Sequence, residues 1–151
     1  MTLELNRKTP HTMPAAARTL GLAGLIPFAG LALLVAFNPE LKAEAAAALL
    51  VYGAVIFSFL GGIRWGFAVL EGEAAGWTAY GLSVVPSLVA WVAALWGGPL
   101  GLLILALALV LWYAFERSAP PAIALPGWYL NLRGLLTAIA ALSLSFAAFS
   151  W

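Results

Sequence analysis

The sequence predicts an all-α integral membrane bundle of five transmembrane helices, and three observations carry that prediction. The 151 residues are 64% hydrophobic and only 9% charged, with a mean hydropathy of +1.02. Soluble domains carry about 25% charged residues because water must wet their surfaces, and this chain cannot cover a surface in that way. The apolar residues fall into five long runs, each able to cross a hydrocarbon core of roughly 30 Å at about 1.5 Å per residue. Turn-forming residues separate the runs: Asn38-Pro39-Glu40, Glu71-Gly72-Glu73, Gly97-Gly98-Pro99 and Pro120-Pro121.

Residues 1–18 hold Glu4, Arg7, Lys8, His11 and Arg18, broken by Pro10 and Pro14, and read as a polar, basic N-terminal tail. Residues 19–151 then form a single five-helix transmembrane domain. The first span covers 19–37. A basic tail before an apolar run can mark a signal peptide, but this run is longer than the about 7–15 residues of a signal core. It also ends in Phe37-Asn38-Pro39-Glu40 rather than in small residues, so it reads as an uncleaved span, with Pro27 predicting a kink.

The second span, 45–70, is the hub of the predicted bundle. Its single charge, Arg64, sits inside Gly61-Gly62-Ile63-Arg64-Trp65-Gly66. A charge inside a span costs about 2.5–3.5 kcal/mol on insertion scales, so it faces a partner, a cavity or the interface. Ala54, Ser58, Gly62 and Gly66 recur every fourth residue and predict a face that a neighbouring helix can approach closely. The third span, 77–96, carries Tyr80, Ser83, Pro86 and Ser87. Gly97-Gly98-Pro99 predicts a tight hairpin, with Pro99 in the first turn of the fourth span, 99–115. That span is nearly all Leu, Ala, Ile and Val, and is expected to face lipid. Residues 116–126 read as the longest loop and 127–133 as an interfacial lead-in. The fifth span, 133–151, places Thr137, Ala141 and Ser145 at the same fourfold spacing, predicting a packing partner for the second span.

Positive residues orient the bundle. With the N-terminus cytoplasmic, Arg7, Lys8, Arg18, Arg117 and Arg133 fall inside, Lys42 falls outside and Arg64 stays in the membrane. Five spans then put the C-terminus outside.

The chemistry such a chain can support is narrow. It has no Cys and no Asp, which excludes disulfides, thiol catalysis and thiolate metal sites. One isolated His11 makes no metal site. Ser58, Ser83 and Ser87 have no His or Lys base within the spans, so no nucleophile is activated. The glycines around Arg64 lack the preceding strand that gives a phosphate loop its meaning. No catalytic residue, metal or cofactor is assigned, and no basic cluster suggests nucleic acid. A proton path needs ionisable groups deep in several spans, and only Arg64 is expected to lie deep.

Three segments together carry a family resemblance: Tyr52 through Gly66, Val85-Pro86-Ser87-Leu88-Val89-Ala90-Trp91, and Trp128-Tyr129 leading to Leu132-Arg133 and Leu136-Thr137. The chain resembles the transmembrane-protein-69-like family, multi-pass membrane proteins of proteobacteria and mitochondria catalogued as a domain of unknown function. The resemblance implies an inner-membrane protein, bacterial or mitochondrial, and no established activity. It also implies His or Arg at position 64, hence a polar headgroup contact rather than one dedicated ion.

Two readings of Arg64 stand side by side. Either it snorkels or pairs with Glu71 or Glu73 to fix the bundle, or it lines a ligand pocket with Tyr80, Ser83 and Ser87 beneath the headgroups. The functional expectation follows. The chain reads as a non-enzymatic inner-membrane protein, an accessory or assembly component of a larger complex with membrane lipids and other membrane proteins as partners. The alternative is a binder or carrier of a small amphipathic molecule, a lipid or a quinone, around Arg64.

Overall fold

A computed structural model describes residues 12–151; Glu4, Arg7, Lys8 and His11 of the expected tail lie outside the described residues. Six α-helices follow in order: α1 (Ala15–Ala23), α2 (Leu25–Phe37), α3 (Lys42–Glu71), α4 (Trp77–Trp96), α5 (Gly98–Ser118) and α6 (Gly127–Phe149). With α1 and α2 taken as one broken rod, five helices are long and apolar enough to cross a membrane.

The break in the first rod has a backbone cause. Pro27 has no N–H to donate to the Ala23 carbonyl, so the helical ladder opens one turn before the proline, at Gly24. The Tyr52 hydroxyl of α3 donates to the Gly24 carbonyl at 2.9 Å and holds the opened turn against the hub. The rod begins at Ala15, after Pro14, so the expected boundary at residue 19 moves four residues towards the N-terminus, and Arg18 belongs to α1.

The hub helix α3 is thirty residues long, about 45 Å at the α-helical rise, which exceeds a hydrocarbon core of roughly 30 Å. Its tightest contacts are made at Gly53 and Gly61. A Cβ at Gly61 would run into the Ser83 carbonyl and Pro86 of α4, and one at Gly53 would press on Leu105, Leu144 and Phe28. Around these lie Leu49, Phe57, Leu60, Leu102, Leu105, Leu109 and Leu144, all buried. The close-packed face is therefore one residue out of register with Ala54, Ser58, Gly62 and Gly66. Ala54 and Ser58 are half-buried, while Gly62 and Gly66 face open space.

Two further expectations are corrected. The fourth span was expected to lie against lipid, yet α5 buries Leu102, Leu105, Ala106, Leu109 and Trp112 between α3, α4 and α6. The thinly covered element is instead α1, which buries no residue. Thr137 and Ala141 are buried and Ser145 half-buried, but α6 packs chiefly on α5 and α2 and touches α3 only lightly.

Two long-range hydrogen bonds fix which ends meet. Lys42 Nζ, at the start of α3, donates to the Ser150 carbonyl at 2.9 Å. At the opposite end, the Ala122 N–H of the α5–α6 loop donates to Glu71 Oε1 at 2.9 Å. The rods alternate up and down, as five spans require. Between α4 and α5 the turn passes through Gly97 (φ 69°) and Gly98 (φ 53°), left-handed geometry that a side chain resists.

Candidate functional site

The four sequence-predicted pocket residues are Arg64, Tyr80, Ser83 and Ser87. Arg64 Nη1 donates to the Ala119 carbonyl at 2.9 Å, just past the end of α5, and its guanidinium lies 5.1 Å from the centre of the Phe115 ring. A cation there satisfies a terminal carbonyl and complements the negative end of the helix dipole. It pairs with neither Glu71 nor Glu73; the single ion pair among the described residues lies elsewhere. Tyr80 stacks edge-on against Trp65, 4.9 Å between ring centres, and donates to the Ala68 carbonyl at 3.4 Å. Ser83 is buried and donates to its own helix at the Tyr80 carbonyl, 2.6 Å away. Ser87 is exposed. Each of the first three thus has a structural partner, and none of the four lines the large cavity described next.

The buried charge lies on α5 and α6. Both helices continue through what reads as loop in the sequence, so Glu116 is the third-last residue of α5 and Arg133 the seventh of α6. Arg133 Nη2 donates to Glu116 Oε2 at 3.0 Å, and Nη1 to Thr137 Oγ1 at 3.3 Å. The two residues are only 8% and 6% exposed. Six residues into α6, Arg133 lies about 9 Å along the axis from the helix start. The expectation that Arg64 is the single deep charge is therefore corrected.

Close helix contact makes the pair possible. Gly134 receives the Tyr113 ring so tightly that a Cβ there would lie 2.5 Å from the phenol oxygen. Tyr113 donates to the Leu130 carbonyl at 3.2 Å and accepts from Arg117 Nη1 at 3.3 Å.

Beside the ion pair is a cavity of about 450 Å³, walled by α1, α2, α3 and α6, with Leu109 of α5 also lining it. Leu20, Phe28, Ile56, Leu60 and Leu136 make its sides apolar, and Trp128, Tyr129, Arg133 and Thr137 line its polar end. Three of these side chains carry a buried donor atom with no protein partner: Trp128 Nε1, the Tyr129 hydroxyl and Arg133 Nε. Buried polar groups are nearly always bonded, and each one left unpaired costs about 1–3 kcal/mol. A largely apolar cavity of this size with a few convergent polar groups has the make-up of a small-molecule site, for which volumes run from roughly 300 to 1,000 Å³. No group of three or more His, Cys, Asp or Glu able to hold a metal occurs among the described residues.

The family model described as "Protein of unknown function (DUF3429)" matches residues 13–149. The chain belongs to that family. Two relatives extend the comparison. "Transmembrane protein 69" of Xenopus tropicalis is 41% identical over 148 residues, covering 94% of this chain and 57% of that protein. "Transmembrane protein 69" of Mus musculus is 33% identical over 132 residues, covering 86% of this chain and 54% of that one. The chain spans about half the length of the curated relatives it matches. No solved structure matches. This DUF3429 chain is a multi-pass helical membrane protein, and every residue of the cavity lies within the family match.

Sequence reasoning missed this site because it treated Arg133 as a loop residue in the interfacial lead-in. One signal was present. Glu116 lies four residues before Pro120 and Arg133 seven after Pro126, so extending both helices to the prolines brings the two charges to one end of a hairpin.

Proposed function

We propose that this chain is a non-enzymatic membrane protein that binds a small amphipathic molecule in the cavity between α1, α2, α3 and α6. The observation that carries the reading is an apolar space of about 450 Å³ whose polar end is lined by three side chains with an unpaired buried donor. An amphiphile places its tail against Leu20, Phe28, Ile56 and Leu136 and its head beside Trp128, Tyr129 and Arg133. The ligand class is that of the alternative reading of the sequence, with its location moved from Arg64 to Arg133. The basic residues at the α1, α5 and α6 ends support a cytoplasmic N-terminus and, with the family, a bacterial or mitochondrial inner membrane.

The test is to fill the cavity. Leu136→Trp projects an indole into it, while Leu142→Trp, on an exposed position of the same helix, serves as the control. Small molecules co-purifying with each are identified by mass spectrometry. A species held by wild type and Leu142→Trp but lost from Leu136→Trp supports the reading; the same inventory in all three overturns it.

A second reading, an accessory or assembly component, is favoured by the open space at Gly62 and Gly66 beside exposed Phe59 and Trp65 on α3. Close helix approach needs such a face. Mild extraction should then recover a stoichiometric membrane partner that Gly62→Leu releases; identical recovery with the variant removes this reading.

A further inference from the structure

Arg133 brings a full positive charge to the cavity end, and by itself would select an anion. That charge is already matched: Glu116 holds its guanidinium at 3.0 Å, and both side chains are more than nine-tenths buried. The hydrogen-bonding capacity left over is therefore polar and not ionic. Trp128 Nε1 and Arg133 Nε can only donate, and the Tyr129 hydroxyl can donate. A ligand carboxylate or phosphate would enter a low-dielectric space beside the Glu116 carboxylate, and like charges so placed repel strongly. An uncharged oxygen acceptor would satisfy the donors without that penalty.

We propose, resting on the cavity-binding reading above, that the site selects an electrically neutral amphiphile whose head presents carbonyl oxygens, with Glu116 acting as the residue that excludes anions. The chemistry is shared by two sources, an isoprenoid-type quinone and a fatty ester. Glu116 touches Arg133 and not the ligand, so its role is to set the charge of the site. The long apolar wall from Leu20 to Leu136 accommodates the tail, and the broken rod at Gly24 lets α1 form one side of the cavity.

The experiment measures binding to the purified 151-residue protein in dodecyl maltoside with four probes: decylubiquinone, methyl oleate, oleate and hexadecane. Bound probe is counted by native mass spectrometry and checked by the ligand-induced rise in Tm. At least one of the two carbonyl probes should bind about tenfold or more tightly than both oleate and hexadecane. Binding of decylubiquinone alone assigns the quinone source, methyl oleate alone the ester source, and both together the carbonyl class. Tyr129→Phe, which removes one donor, should weaken the carbonyl probe about three- to tenfold and leave hexadecane unchanged. Glu116→Gln, which unmasks the arginine, should raise oleate affinity about tenfold or more. If that variant fails to fold, the wild-type order and Tyr129→Phe decide. Oleate bound tightest by wild type, or hexadecane bound as well as the carbonyl probes, overturns the proposal while leaving cavity binding intact. Failure of all four probes overturns the cavity reading itself.

Discussion

Replacing Glu116 by Ala should be among the most damaging single changes in the bundle, far more so than replacing both members of its ion pair together. Arg133 is 8% exposed, and Glu116 supplies its single ionic contact at 3.0 Å. Removing the carboxylate strands a buried guanidinium, which costs about 3–5 kcal/mol. Thr137 accepts one bond at 3.3 Å, but a neutral hydroxyl does not offset a charge. The double change Glu116→Leu with Arg133→Met keeps the volume and removes both charges, and should lie within about 1 kcal/mol of wild type or be stabilised by up to about 4 kcal/mol. The assay is reversible unfolding in mixed detergent micelles, run as a double-mutant cycle so that the coupling between the two positions is isolated. A coupling of about 2 kcal/mol or more is expected. Additive losses in the double variant, or a cost below about 1 kcal/mol for Glu116→Ala, would refute the view that the pair is buried and mutually dependent.

Other perturbations read out other parts of the bundle. Gly61→Ala drives a methyl into the Ser83 carbonyl and should cost about 1–3 kcal/mol, whereas Gly62→Ala, in open space, should leave unfolding unchanged; equal effects would show that the packing face is misassigned. Tyr52→Phe removes the bond to the Gly24 carbonyl and should cost about 0.5–1.5 kcal/mol, with faster hydrogen exchange confined to the turn around Gly24. Arg64→Leu loses the Ala119 carbonyl and the Phe115 ring; it should fray the end of α5 in hydrogen exchange while leaving retention of the cavity ligand unaltered. Because the chain has no Cys, single cysteines at Glu71 and Trp151 can be labelled from either side of sealed vesicles. Opposite accessibility is expected, and the same side for both would contradict five spans.

Much of the architecture was legible because span length and turn chemistry are local. The third span is bounded in the sequence by Gly76-Trp77 and Trp96-Gly97, and α4 runs from Trp77 to Trp96. Pro99 falls in the first turn of α5, as its missing N–H requires. The kink from Pro27 was legible too, although the opening falls at Gly24 because the lost bond is the one reaching back four residues.

What could not be read was which face of each helix turns inward. In water the apolar face marks the core, but in a membrane both faces are apolar, so periodicity carries little of that information. Hence the expected small-residue face at Gly62 and Gly66 lies one residue from the packed one at Gly61. Likewise α5, apolar on all sides, reads as lipid-facing while its Leu102, Leu105 and Leu109 are buried. The site was missed through helix ends. Glu116 and Arg133 read as loop charges because span length alone sets the ends by hydropathy, and only Pro120, Pro121 and Pro126 mark how far the two helices extend. Arg64, the residue that stands out in sequence, ends as a helix-terminal clamp between α3 and α5.

The central claim, that the space beside Arg133 holds a ligand, is tested most directly by mapping where an amphiphile sits. The purified protein would be irradiated with a diazirine-bearing methyl ester, and the adducts located by peptide mass spectrometry. Adducts concentrated on the α1–α2 segment from Ala17 to Phe28 and on α6 from Trp128 to Ala140, and competed away by unlabelled ester, are the predicted result. Adducts spread instead over outward positions such as Leu88, Leu107 and Leu142, with no competition, would contradict it.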